Sequence, residues 1–208
     1  MAQPSPWPTI HAERKALAAD VESLSDEQWA TPSLCDGWTV RQTLGHMTAT
    51  AEMTPPKFFL RLIGSGFRFN AMGAKLIAQQ CEGTPADTLA RFKAQVDAST
   101  HPPGPVDSWL GETILHSEDI RRPLGIAHAY PIEAVIRVAD FYRKSNLVVG
   151  GKKRVAGLTL RATDADWSAG SGPEVVGPAL AIALAITGRR AALDELSGDG
   201  LATLKDRA

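Results

Sequence analysis

The sequence predicts an α+β protein, a helical bundle followed by a small mixed α/β appendage, and three observations carry that reading. Apolar residues recur at three- and four-residue spacing through the first two thirds of the chain. Alternation at period two is confined to the last third, in Val155–Ala162 and Glu174–Val176. Helices first and strands last is the α+β order rather than the alternating α/β one. The domains expected are a bundle over 10–128 and a small unit over 129–208 that begins with a linking helix.

The elements follow in order. Residues 1–9 hold three prolines and read as an extended arm. Leu17, Val21 and Leu24 mark a helix from about 10 to 24. Ser25-Asp26-Glu27-Gln28 is a capping box opening a short turn over Trp29, and Thr39-Val40-Arg41-Gln42 is a second one. Behind it Val40, Leu44, Met47 and Ala51 form a stripe. At roughly 100° per residue His46 lies about 100–120° from its centre, on the shoulder of the helix. Pro55-Pro56 is read as the end of that helix. Residues 57–82 are apolar and glycine-bearing, with Phe58, Phe59, Phe67 and Phe69 clustered. Gly64, Gly66 and Gly73 would let the segment bend as a cover over a pocket. Thr84-Pro85 starts a helix lined by Leu89, Phe92 and Val96, and His101-Pro102-Pro103-Gly104-Pro105 breaks the chain. The next helix carries Glu112 and His116 and stops before Pro123. Tyr130-Pro131 opens another, with Val135, Val138, Phe141 and Tyr142 inward. A strand at Val155–Ala162, a turn at Gly170–Gly172, a strand at Glu174–Val176 and an alanine-rich helix from Pro178 to Thr187, with Leu180 and Leu184 inward, complete the reading, before a short ending.

Composition bounds the function. The chain has 208 residues and a formal net charge of −1. It lacks the basic surplus that nucleic acid or anionic membrane would attract, so neither is expected as a partner. Two cysteines, Cys35 and Cys81, are too few for a disulfide scaffold. No apolar run approaches the roughly 18 residues a membrane helix needs. A soluble, cytoplasmic protein is the expectation.

Glu112 and His116 stand at i and i+4, about 40° apart on one helix face. Such a pair is ordinary on a solvated helix. Met by His46 from a facing helix, it is also how bundles build metal sites in their cores. A nitrogen and oxygen ligand set suits zinc, with iron(II), manganese or nickel as alternatives, and three protein ligands leave an open position for chemistry.

Cys35-Asp36-Gly37-Trp38-Thr39-Val40-Arg41-Gln42-Thr43-Leu44-Gly45-His46-Met47 resembles the first metal-binding stretch of the mycothiol-dependent maleylpyruvate isomerase family, part of the DinB-like superfamily. Glu112 to His116, with Asp119-Ile120 and Arg122-Pro123-Leu124-Gly125, is similar to its second. Leu160 to Trp167, Gly172-Pro173-Glu174-Val175 and Gly177-Pro178 resemble its C-terminal domain. The resemblance implies a DinB-like four-helix bundle with a small C-terminal α/β domain, and a divalent metal, zinc first, on His46, Glu112 and His116. It further implies mycothiol as the low-molecular-weight thiol and a small electrophilic substrate for isomerisation or thiol transfer. A non-catalytic metal-binding bundle with a ligand- or partner-binding appendage, and a hydrolase that activates water, are the alternatives. Substrate contacts are expected in 57–82, where the likeness is loose.

Other residues are weighed beside these. Asp119 is either an orienting partner of a metal-bound histidine or a surface charge. Arg189 and Arg190 could reach a carboxylated substrate, or simply complement a helix C-terminus. Cys35 and Cys81 read as small packing residues without a Cys-x-x-Cys partner. Trp38 and Trp167 also read as packing, and His11, His101 and His128 as exposed.

Overall fold

Three helix starts are written into the sequence as reciprocal caps. Ser25 with Gln28, Thr39 with Gln42 and Thr84 with Asp87 each exchange side-chain and backbone hydrogen bonds, so two orphan N–H groups are satisfied at each start. The structure is a computed structural model and describes residues 4–147 and 149–208. The chain divides into two compact units, Met1–His128 and Ala129–Ala208.

The first unit is helical: α1 Trp7–Asp20, α2 Asp26–Ala30, α3 Val40–Ala51, α4 Pro55–Gly64, α5 Phe69–Gln80, α6 Pro85–Lys93 and α7 Val106–Arg121. Helices α1, α3, α6 and α7 form the bundle, and α5 lies along α3. Leu17, Val21, Trp29, Val40, Leu44, Met47, Leu89, Phe92 and Ile120 meet in one buried cluster, each large side chain contributing about 1.5–3 kcal/mol of hydrophobic stabilisation. Helix α7 packs on both α1 and α3 and is buried from Leu110 to Arg121 except at His116. Arg121, fully buried, pairs with Asp20 at 2.6 Å and ties α7 to α1.

Two proline readings need correction. Helix α1 begins at Trp7, with Pro8 in the first turn. Residues 4–6 are all that remain of the expected arm, and 1–3 lie outside the described residues. Pro55-Pro56 does not end α3, which stops at Ala51; the pair opens α4 behind a Thr54 cap. A proline in a first helical turn forfeits no hydrogen bond, so it starts helices as readily as it stops them.

The second unit holds α8 Ile132–Lys144, α9 Gly151–Arg154, β1 Thr159–Ala162, β2 Ser168–Gly170, β3 Glu174–Gly177, α10 Ala179–Ile186 and α11 Leu201–Arg207. The sheet order is β2-β1-β3. Leu160 stands opposite Ala169 in the antiparallel pair and opposite Val175 in the parallel one. Helix α10 packs on α8 and the sheet and is apolar on every side, as a helix buried all round must be. The α+β class holds. The first strand is shorter than expected because Val155 closes α9, and Gly157, at φ 72°, turns the chain before Thr159. Leu180 and Phe141 are only half-buried, whereas Leu184 and Tyr142 are buried.

Candidate metal centre

The site begins with a turn. Ser33 N–H and Oγ–H both donate to the Trp38 carbonyl, Trp38 N–H donates to the Cys35 carbonyl, and Gly37 takes the left-handed φ of 76° that closes the loop. Leu34 N–H then donates to the Asp119 carbonyl at 3.1 Å, which seats the loop on the last turns of α7. The same segment runs into the Thr39 cap of α3, so Cys35, Trp38 and His46 are all fixed relative to α7.

Two of the residues singled out in the sequence meet directly. The His46 ring, from α3, lies 4.9 Å from the His116 ring of α7, nearly edge to face. Trp38 lies over both, at 5.0 Å from His46 and 6.5 Å from His116. Glu112 sits one turn before His116 on α7 and is 8% exposed. Thr50 of α3 lies near it, yet neither Glu112 carboxylate oxygen has a hydrogen-bond partner of acceptable geometry. Burial pushes the Glu112 pKa up, against the pull of the His116 and Arg14 charges. Arg14, on α1 and 1% exposed, donates to the Ala98 carbonyl through Nη1 and keeps its Nε unpartnered.

Asp119 is wholly buried and its Oδ2 lies 2.8 Å from His116 Nδ1. The Cys35 thiol donates to the same oxygen at 3.1 Å, with its sulfur 3.4 Å from His116 Nδ1. Burial works against a charged imidazole here, but the hydrogen bonds to Asp119 and Cys35 and the Asp119 charge outweigh it and push the His116 pKa up to about 10. With Nδ1 turned to Asp119, Nε2 is the ring nitrogen left for a ligand, and a metal bound there would displace its proton.

Cys35, His116 and Asp119 therefore bring three possible ligand atoms within 4.8 Å of one another. Sequence spacing alone does not bring Cys35 into this cluster or Trp38 against the two imidazoles; the only signal for either is their place in the Cys35-to-His46 stretch. Asp119 faces His116 and not solvent. Arg189 and Arg190 belong to the second unit, where Arg190 donates to the main-chain oxygen of Ala208 at 2.7 Å. His11 and His101 flank Trp7 at 5.8 and 5.7 Å, and His128 pairs with Glu13 at 2.7 Å, so these three histidines have structural partners of their own.

Residues 10–121 match the family model of the mycothiol maleylpyruvate isomerase N-terminal domain. Two solved structures resemble the chain as a whole. A histidine-to-alanine mutant of the mycothiol-dependent maleylpyruvate isomerase superposes with a TM-score of 0.66 at 15% identity, over 95% of this chain and 93% of that one. A second crystal structure of the mycothiol-dependent maleylpyruvate isomerase gives 0.60 at 14% identity, with the same coverage of each chain. No curated protein matches the chain.

Proposed function

The chain belongs to the mycothiol maleylpyruvate isomerase family through its residues 10–121, and on that footing we propose a metal-dependent, mycothiol-using isomerase or thiol transferase acting on a small electrophile. The observation that carries this reading is the meeting of the His46 and His116 rings beside a buried Glu112 carboxylate that, with Thr50 nearby, takes no hydrogen bond of acceptable geometry among the described residues. An ionised carboxylate so placed is costly unless a cation compensates it. The donor set, two imidazoles and one carboxylate, suits zinc and would leave a coordination position open.

His46, Glu112 and His116 would hold the ion, and Asp119 would keep the His116 tautomer that presents Nε2. A zinc ion there would act as a Lewis acid that lowers the pKa of a thiol from its ordinary value near 8.5. Trp38 lies beside both imidazoles. The residues of the chain would thus set the charge and orientation of the site. The electrophile's identity would decide between isomerisation, in which the thiol leaves again, and conjugation, in which it stays.

Metal analysis of the purified chain tests the ligand set. His46→Ala with His116→Ala should lower metal retention against a competing chelator by at least an order of magnitude; retention equal to the unaltered chain would sink the assignment. Turnover of a generic electrophile only when mycothiol is supplied is the expected activity, and equal turnover without thiol would indicate a hydrolase. A second ligand set, Cys35, His116 Nδ1 and Asp119, is favoured by the closeness of those three atoms. Under that reading Cys35→Ser alone would remove the metal and His46→Ala would not.

A further inference from the structure

We propose that α4 and the turn after it form a docking surface for an anionic lipid bilayer. Helix α4 has no buried residue. Phe59, Leu60 and Ile63 on α4, Phe67 in the following turn and Phe69 at the start of α5 are all more than half exposed, with Leu60 at 70% and Phe67 at 72%. The surface is continuous at its base, where Phe58 contacts Phe59 at 5.5 Å and Phe69 at 6.3 Å between ring centroids. A patch of large apolar side chains like this marks an interaction site more often than idle surface.

Charge selects the occupant. From Met53 to Cys81 there is no acidic residue, while Lys57, Arg61, Arg68 and Lys75 are all exposed. Arg61 donates to the Gln79 side chain and Arg68 to the Ser65 carbonyl, so both have neutral partners. The modest overall charge of the chain hides this local segregation. A two-fold contact between copies through this face would set the four cations against their equivalents, which costs free energy. An anionic interface accepts apolar side chains and cations together, with lysine and arginine stems lying along the apolar zone.

The geometry agrees. No helix among the described residues is long and apolar enough to cross a membrane, so the contact would be interfacial. The helix is already formed and capped by Thr54, which removes the ordering cost that a disordered segment would meet on binding. Phe67 holds a left-handed φ of 61° while its ring stands in solvent. A bulky side chain disfavours that conformation, and insertion of the ring between lipid headgroups would remove its exposure to water.

The test is co-sedimentation of the full chain with vesicles of phosphatidylcholine alone or mixed with phosphatidylglycerol. Binding to the mixed vesicles, lost at high salt and at least tenfold weaker on phosphatidylcholine, is the expected result. Leu60→Ser with Phe67→Gly should abolish binding without lowering the thermal unfolding midpoint, because both side chains are exposed and glycine accepts the left-handed φ freely. Lys57→Gln with Lys75→Gln should weaken it by roughly thirtyfold, from about 1 kcal/mol per cation near an anionic surface. No binding to either vesicle, or equal binding to both, overturns the proposal. So does self-association in sedimentation velocity that Leu60→Ser with Phe67→Gly dissolves, which would assign the face to a second copy.

Discussion

Asp119→Asn isolates what the buried carboxylate does for His116. The change keeps the shape and removes the charge. Asp119 accepts from the Cys35 thiol and faces His116 Nδ1 at 2.8 Å, with no exposure to solvent. A hydrogen bond to a charged acceptor contributes about 1.5–3 kcal/mol and a neutral one about 0.5–1.5. Neutralising one acceptor shared by two groups therefore costs about 2 kcal/mol in the metal-free chain. For a protein of this size that is roughly 4–8 °C in the unfolding midpoint. Losing the partner that orients a ligating histidine typically weakens metal affinity by about 10–100-fold. Calorimetry after chelator treatment reads the first effect, and competition with a chromophoric chelator reads the second. If Asp119→Asn leaves both unchanged, the carboxylate neither orients His116 nor stabilises the turn, and the reasoning fails. Cys35→Ser is the control, since it keeps the carboxylate: under the His46, Glu112, His116 assignment it should cost no more than about half of that 2 kcal/mol, about 1 kcal/mol, and only a few-fold in metal retention.

Further expectations concern the surroundings of the site. Arg14→Leu removes a positive charge that holds the Glu112 pKa down against burial, so metal retention should be lost at a higher pH on acidification than in the unaltered chain; a pH-independent effect would assign Arg14 to packing alone. A Cβ at Gly45 would lie 2.9 Å from Cys81 Sγ, so Gly45→Ala should destabilise by about 1–2 kcal/mol. Cys81→Ala should recover most of that loss in a double-mutant cycle, and additivity would refute the close approach. Burial pushes the Cys81 pKa up despite the nearby Arg41 and Arg91 charges. Less thiolate is then present at pH 8 than in a free thiol, and alkylation of Cys81 should be slower, with the gap closing as pH rises. Reaction at the free-thiol rate at pH 8 would contradict that environment.

Local rules account for what was legible in the sequence. The caps at Ser25 and Thr39 depend on residues three apart, and both helices start where those residues stand. The shoulder position of His46 follows from helical spacing alone, and the ring does turn from the buried stripe towards His116. Prolines misled because one residue type serves both to stop and to start helices, as Pro8 and Pro55 do. Strand β2 went unread because Ser168-Ala169-Gly170 has no β-branched or aromatic residue, and its pairing with β1 across a turn is what makes it a strand. Cys35 reads in the sequence as a packing residue because its partners, His116 and Asp119, are more than eighty positions away. Spacing says nothing at that range.

Arg41 has a consequence for how this scaffold can vary. Its guanidinium donates to the Cys81, Gly83 and Thr84 carbonyls and to the Thr88 hydroxyl, while Arg91 takes the Gln80 and Glu82 carbonyls. Two planar, permanently charged groups thus clasp the corner between α5 and α6, and α3, which carries His46, is fixed to it independently of α4. Helix α4 and its turn hang outside that clasp with none of their side chains in the core. Insertions, deletions or a wholly exchanged segment there would leave the histidines in register. The excursion can therefore change without rebuilding the centre of the bundle.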